Sequence, residues 1–138
     1  MVVVLDVNVF VSAALSGAGP CAELVRAARD GVIDVVVSPL LLTELREVVQ
    51  RDRFRSFLTL AEADAYLDEL GRICRVERDP PAGRSVLRDP DDDYLVALAQ
   101  AAEATWIVSG DADLISAALD PPAITPRVAV DRLVHGSD

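Results

Sequence analysis

The sequence predicts an α/β fold: a three-layer α/β/α sandwich around a central parallel sheet of about five strands. Short, continuous β-branched runs such as VVVLD (2–6) and VIDVVVS (32–38) suit strands buried on both faces. Between such runs lie stretches with apolar residues at helical spacing. Proline and glycine fall where helices start and stop. With 138 residues, the chain is expected to form a single domain over 1–138 that buries about two thirds of its unfolded surface.

The elements follow in order. After the first strand, GAGP (17–20) breaks the chain, and Pro20 opens a helix that runs to about Asp30 and stops at Gly31. The strand over 32–38 leads into a helix over 38–51, with Ser38 as N-cap and Pro39 at the first helical position. Residues 60–72 form an amphipathic helix with Leu60, Ala63, Leu67 and Leu70 on one face. ICRVE (73–77) is a short strand, and RDPPAGRSVLRD (78–89) a loop. DPDDDYLVALAQAAEA (89–104) is a helix with Asp89 as N-cap and Pro90 just inside. TWIVSGD (105–111) is a strand leaving into a turn. DLISAALD (113–120) is a short helix, AIT (123–125) a small strand, and Thr125-Pro126 starts a terminal helix.

Composition narrows the function. The chain is 51% hydrophobic, which excludes disorder, and no apolar run reaches the roughly 18 residues of a membrane span. The N-terminus lacks a basic region, and Asp6 and Asn8 interrupt its apolar stretch, so it is not read as a signal peptide. A cytoplasmic location is expected. Cys21 and Cys74 belong to no Cys/His cluster and read as reduced, buried thiols, not zinc ligands. The 23 acids outweigh 13 bases, giving a net charge of −10, which opposes broad affinity for nucleic acid. All the bases are arginine, so mechanisms that need a lysine are excluded. The lone histidine, His135, sits at the expected frayed end.

Certain acids fall where open parallel sheets bind ligands, beyond the carboxyl ends of the strands. Asp6 ends the first strand, Asp111 follows the WIVSG strand, and Asp89 to Asp93 lie at a helix N-terminus, where negative charge is favoured. Glu44 lies beside the apolar face marked by Leu41, Leu45 and Val48. Caps and turns account for Asp89 and Asp111 equally well. Asp6 is harder to dismiss, because an uncompensated carboxylate near a core is expensive. Converging carboxylates repel one another unless oxygen-loving cations such as Mg²⁺ or Mn²⁺ join them. A pair of such ions activates water in phosphodiester hydrolysis.

The pieces VVLDVNVFVSAAL, VSPLLLTELREVV, DPDDDYLVALAQAAEATWIVSGDADLI and ITP occur in this order over positions 2–126. Together they resemble a PIN domain, and in particular the VapC-like bacterial toxins of toxin–antitoxin systems. The resemblance implies a metal-dependent endoribonuclease using Mg²⁺ or Mn²⁺, held in check by a cognate antitoxin and often homodimeric. The family's acids fall on Asp6, Glu44 and Asp111, with Asn8 and Ser109 as polar neighbours. For the remaining acid, Leu95, Leu98, Ala99 and Ala102 define the helix face, and Asp92 lies roughly 60° from it. The family's spacing to Ala99 selects Asp92; Asp91 also fits the phase, Asp93 fits if the helix starts irregularly, and Asp113 is an auxiliary residue or a cap. In-line attack by hydroxide would leave 5′-phosphate and 3′-hydroxyl ends. Arg51, Arg53 and Arg55 offer guanidinium groups for phosphate, or form a solvated helix end.

Two rivals use an aspartate after a first strand. A haloacid-dehalogenase-type phosphatase needs a second aspartate where Asn8 stands, and both it and a response-regulator receiver normally use a lysine. A non-catalytic PIN-fold module that binds nucleic acid or protein is the alternative of a different class.

Overall fold

Three consecutive valines and a leucine make β1 (Val2–Leu5), and it takes the centre of the sheet. The computed structural model describes residues 1–81 and 90–136, the side chains of 90–92 excepted. The expected cap Asp89 and most of the expected 78–89 loop lie outside the described residues. β1 pairs in parallel with β2 (Asp34–Val37) on one side and β4 (Trp106–Val108) on the other. β3 (Arg75–Val76) extends the sheet beyond β2, and β5 (Ala123–Ile124) extends it beyond β4. The sheet therefore has five parallel strands in the order β3-β2-β1-β4-β5.

Helices cover it. α5 (Pro90–Ala101) packs on β1 and β4, while α1 (Val7–Leu15) meets both α2 (Pro20–Arg29) and α3 (Pro39–Val49). α4 (Leu60–Ile73) packs on α3, and α7 (Pro126–Ala129) on α2. The short α6 (Ala112–Ser116) joins β4 to β5. Val3, Val4, Leu5, Val36, Val37, Ile107 and Val108 are wholly buried. That is why these strands read as continuous apolar runs, without alternation. Each such side chain contributes about 1.5–3 kcal/mol relative to exposure.

The caps follow the sequence closely. Ser38 accepts the Leu41 N–H at 3.3 Å with Pro39 just inside the helix. Thr59 and Glu62 form a reciprocal capping box on α4. Gly31 has φ +76, a left-handed conformation that releases the chain from α2 towards β2.

Some expectations shift. Residues 7–15, to which no element was assigned, are helical: Asp6 caps them, and the β-branched pattern that signals strands hides the turn. β2 starts at Asp34, two residues late, because Val32 is 52% exposed. Leu60 is 53% exposed, since the first turn of α4 extends past the core and burial begins at Ala63. On α3 the buried set is Leu41, Leu45 and Val49, with Val48 only half-buried. The terminal helix continues past α7 as a π-helical turn over Val130–Val134. No single helix among the described residues is long and apolar enough to cross a membrane.

Both cysteines are free; Cys74 is buried, whereas Cys21 is only half-buried. Burial raises both thiols, that of Cys74 to about 12, with a hydrogen bond to Ser12 pulling Cys21 the other way. The thiolate is the reactive form. A thiol reagent at pH 8 should therefore label native Cys74 far more slowly than Cys74 in urea, with Cys21 between. Equal rates in both states would place Cys74 at the surface.

Candidate active site

The strand order reverses at β1, because the chain winds outward to β2 and β3 and then crosses to β4. Beyond the carboxyl ends of β1 and β4, no strand-to-helix connection bridges the gap, and a crevice opens there. A cleft of about 260 Å³ occupies this position. Asp6, Asn8, Glu44 and Asp111 line it, together with Arg51, Tyr94 and the apolar Val7, Leu41, Val48 and Leu95.

Asp6 leaves β1 with its N–H still bonded to the Val108 carbonyl at 2.9 Å. Its side chain turns into the first turn of α1, where Oδ1 accepts the Asn8 N–H at 3.5 Å. Oδ2 accepts the Ser109 hydroxyl at 2.7 Å. Ser109 is fully buried, and its Oγ also accepts the Asp111 N–H at 3.0 Å. One hydroxyl therefore ties the acid after β1 to the acid after β4. Asp111 Oδ1 accepts the Asp113 N–H at 2.8 Å, so Asp111 caps α6 while lining the cleft. A carboxylate has about four acceptor positions. These bonds leave both Asp6 and Asp111 with acceptor capacity free for further contacts.

Glu44 reaches the cleft from α3 and is half-buried, as its place beside the apolar face of that helix requires. Asp92 lies within α5, but its side chain, like that of Asp91, is outside the described residues. Asp93 is half-buried. Asp113 is exposed and does not line the cleft. Among the described residues, no three His, Cys, Asp or Glu side chains approach closely enough to enclose one metal ion.

The three arginines of RDRFR separate. Arg55 donates to the carbonyls of Val49, Arg51 and Leu58 at 3.1–3.2 Å, closing the end of α3. Arg53 lies over the Phe54 ring at 4.7 Å. Arg51 alone of the three lines the cleft. His135 lies away from it, 3.2 Å from Glu23.

Sequence reasoning did not single out Tyr94. Its hydroxyl donates to Asp79 Oδ1 at 2.8 Å and meets the Ser38 hydroxyl. Burial, then the hydrogen bond and charge of Asp79, push its phenol well above the ordinary value. Desolvation works against the Asp79 carboxylate, but the Leu40 N–H and the Tyr94 and Ser38 hydroxyls outweigh it and hold the carboxyl low. The signal was present in principle: a tyrosine next to an acidic run in a helix needs a partner for its hydroxyl.

Residues 2–113 match the PIN domain family. The chain belongs to that family. Among solved structures, this PIN domain is similar to one described as VapBC2 from Rickettsia felis bound to a DNA fragment from their promoter. The TM-score is 0.63 at 14% identity, over 91% of this chain and 98% of that one. At that identity the likeness speaks to the fold. No curated protein sequence is similar enough to count as a match.

Replacing Ser109 by Ala leaves Asp6 Oδ2 without its donor and the Asp111 N–H without its acceptor. Loss of such partly buried bonds costs about 1–3 kcal/mol. Urea unfolding of Ser109→Ala should show a loss in that range, and an unchanged midpoint would mean that water replaces the hydroxyl.

Proposed function

We propose that this PIN domain is a metal-dependent endoribonuclease, the toxin of a toxin–antitoxin pair that acts in the cytoplasm. One observation carries the reading: Asp6, Glu44 and Asp111, from three separate elements, line one cleft where the strand order reverses. Metal ligands would be Asp6, Glu44, Asp92 and Asp111, with Asp92 assigned by the family's spacing alone. The donor set is all oxygen, which fits Mg²⁺ or Mn²⁺. Mg²⁺ typically keeps several waters and takes only one or two carboxylates, so a cleft without three tightly clustered acids still suits it.

A bound cation of this kind supplies an activated water and neutralises charge on the leaving oxygen. The chain's own residues do the rest. The Ser109 hydroxyl fixes the rotamer of Asp6 and the backbone at Asp111, holding the two acids in register. Glu44 completes the acidic wall and is placed either to add a ligand or to orient the attacking water. Arg51 presents the planar fork that matches a phosphate, on a wall otherwise negative. The PIN domain family and the likeness to VapBC2 support an antitoxin as regulatory partner. The RNA substrate and a homodimer come from the resemblance to VapC-like toxins.

The test is metal-dependent cleavage. Mn²⁺ or Mg²⁺ should raise the thermal midpoint of the wild type, since a ligand bound only to the folded state stabilises it. Asp6→Asn keeps an oxygen for Ser109, so its metal-free midpoint should be equal or higher. Its RNA cleavage should fall by at least about 100-fold, the upper end for loss of a metal's supporting partner. Undiminished cleavage by a clean preparation of Asp6→Asn would sink this assignment. Metal-independent RNA binding without cleavage would instead favour a binding module.

Arg51 has its own readout. On the Asp6→Asn background, Arg51→Ala should weaken RNA binding roughly 10-fold or more, the worth of one charge-assisted contact. The dependence of log affinity on log salt should flatten by about 0.7, as expected for one phosphate contact to a single strand. An unchanged salt slope would remove Arg51 from the substrate path.

A further inference from the structure

A second hydrogen-bonded chain runs behind the cleft, and the proposed chemistry does not use it. Ser38 is wholly buried at the N-cap of α3, where its Oγ accepts the Leu41 N–H. Its hydroxyl meets that of Tyr94, which extends from the start of α5 and forms part of the cleft wall. The Tyr94 hydroxyl donates to Asp79 at 2.8 Å, and the Ser38 hydroxyl sits beside it, where it also helps to hold that carboxylate low. Asp79 follows β3, and the same Oδ1 accepts the Leu40 N–H at 3.0 Å. The chain thus joins three elements at one edge of the sheet: the start of α3, the start of α5 and the segment after β3.

Packing alone does not call for this arrangement. A phenylalanine would fill the space of Tyr94, and Leu41 already caps onto Ser38. Asp79 is exposed, so it needs no partner for burial's sake. What the chain does is hold α5 against α3. Glu44 lines the cleft from α3, and Tyr94 and Leu95 line it from α5. The spacing of these two walls is therefore set by the bonds that join the starts of the two helices. Asp6 and Asp111 already have Ser109 to hold them; this chain plays the equivalent part for the other wall.

We propose that Tyr94, Ser38 and Asp79 form a positioning device that sets α5 against α3 and so raises the cleft's affinity for a divalent cation. The proposal rests on the metal-dependent reading above. Outer partners of this kind change metal affinity by about 10–100-fold.

The experiment is Mn²⁺ titration of full-length, RNA-free protein, followed by the loss of free-ion electron paramagnetic resonance signal and held well below the melting temperature. Tyr94→Phe and Asp79→Ala should each weaken Mn²⁺ binding about 10-fold. Asp79→Asn keeps an oxygen acceptor and should stay within about threefold of wild type. Asn and Ala both remove the Asp79 charge, so the difference between them isolates the hydrogen bond. The double variant Tyr94→Phe/Asp79→Ala should be no worse than either single one, because both break the same link. If the wild type binds Mn²⁺ and Tyr94→Phe binds it equally well, the positioning role is overturned and the metal site stands. If Asp79→Asn falls as far as Asp79→Ala, the effect is one of charge and the device is again overturned. If the wild type does not bind Mn²⁺, the metal reading itself fails and takes this inference with it.

Discussion

β1 is paired on both edges, with Val3 opposite Val35 on one side and Trp106 on the other. This double pairing means that the chain leaving Leu5 emerges between two loops that run away from each other. An acid placed one residue later is half-buried, surrounded by strand ends, and close to whatever ends β4. The Asp6–Ser109 bond is the direct result. Shift the register of β1 against β4 by one residue and Ser109 no longer meets Asp6, so the link between the acid after β1 and the acid after β4 is lost. The stability of the centre and the geometry of the cleft are thus set by the same ladder.

The fold was legible because its signals are local. Continuous valine runs mark strands covered on both faces, and Ser38-Pro39 and Thr125-Pro126 mark helix starts whose side chains cap as the spacing requires. The helix over Val7–Leu15 was not legible, because its alternating β-branched residues look like a continued strand and only the tertiary path bends it at Asp6. Three of the acids could be placed on the correct edge of the sheet from strand ends and helical phase alone. Tyr94 and Asp79 could not be found together, because 15 residues and the end of a strand separate them. Their meeting depends on where β3 sits, next to β2 and far from β4, and sequence periodicity does not contain strand order.

The arginines show how a chain of net charge −10 can still offer a cation to an anionic ligand. Arg29, Arg46 and Arg75 are paired with Glu69, Asp64 and Glu77, and Arg26 is bonded to the Gly17 carbonyl. Arg132 lies over the Trp106 ring at 5.2 Å. Exposed pairs of this sort add little stability, but they neutralise charge locally and leave the overall field negative. Arg51 lines the cleft as a single guanidinium and not as part of a basic surface. For the nuclease proposed above, selectivity would rest on geometry at a single phosphate, with little help from long-range attraction.

The two outermost strands carry a different consequence. β3 and β5 are each 2 residues long. β3 is exposed and carries Arg75, paired with Glu77 just beyond it, while β5 is buried. Short, charged or covered margins give an incoming strand almost nothing to align with. The sheet therefore offers a neighbour's backbone little to pair with, and it resists the edge-on stacking that leads parallel sheets into aggregates. Among the described residues, helix faces and side chains offer a second protein far more surface than these strand edges do.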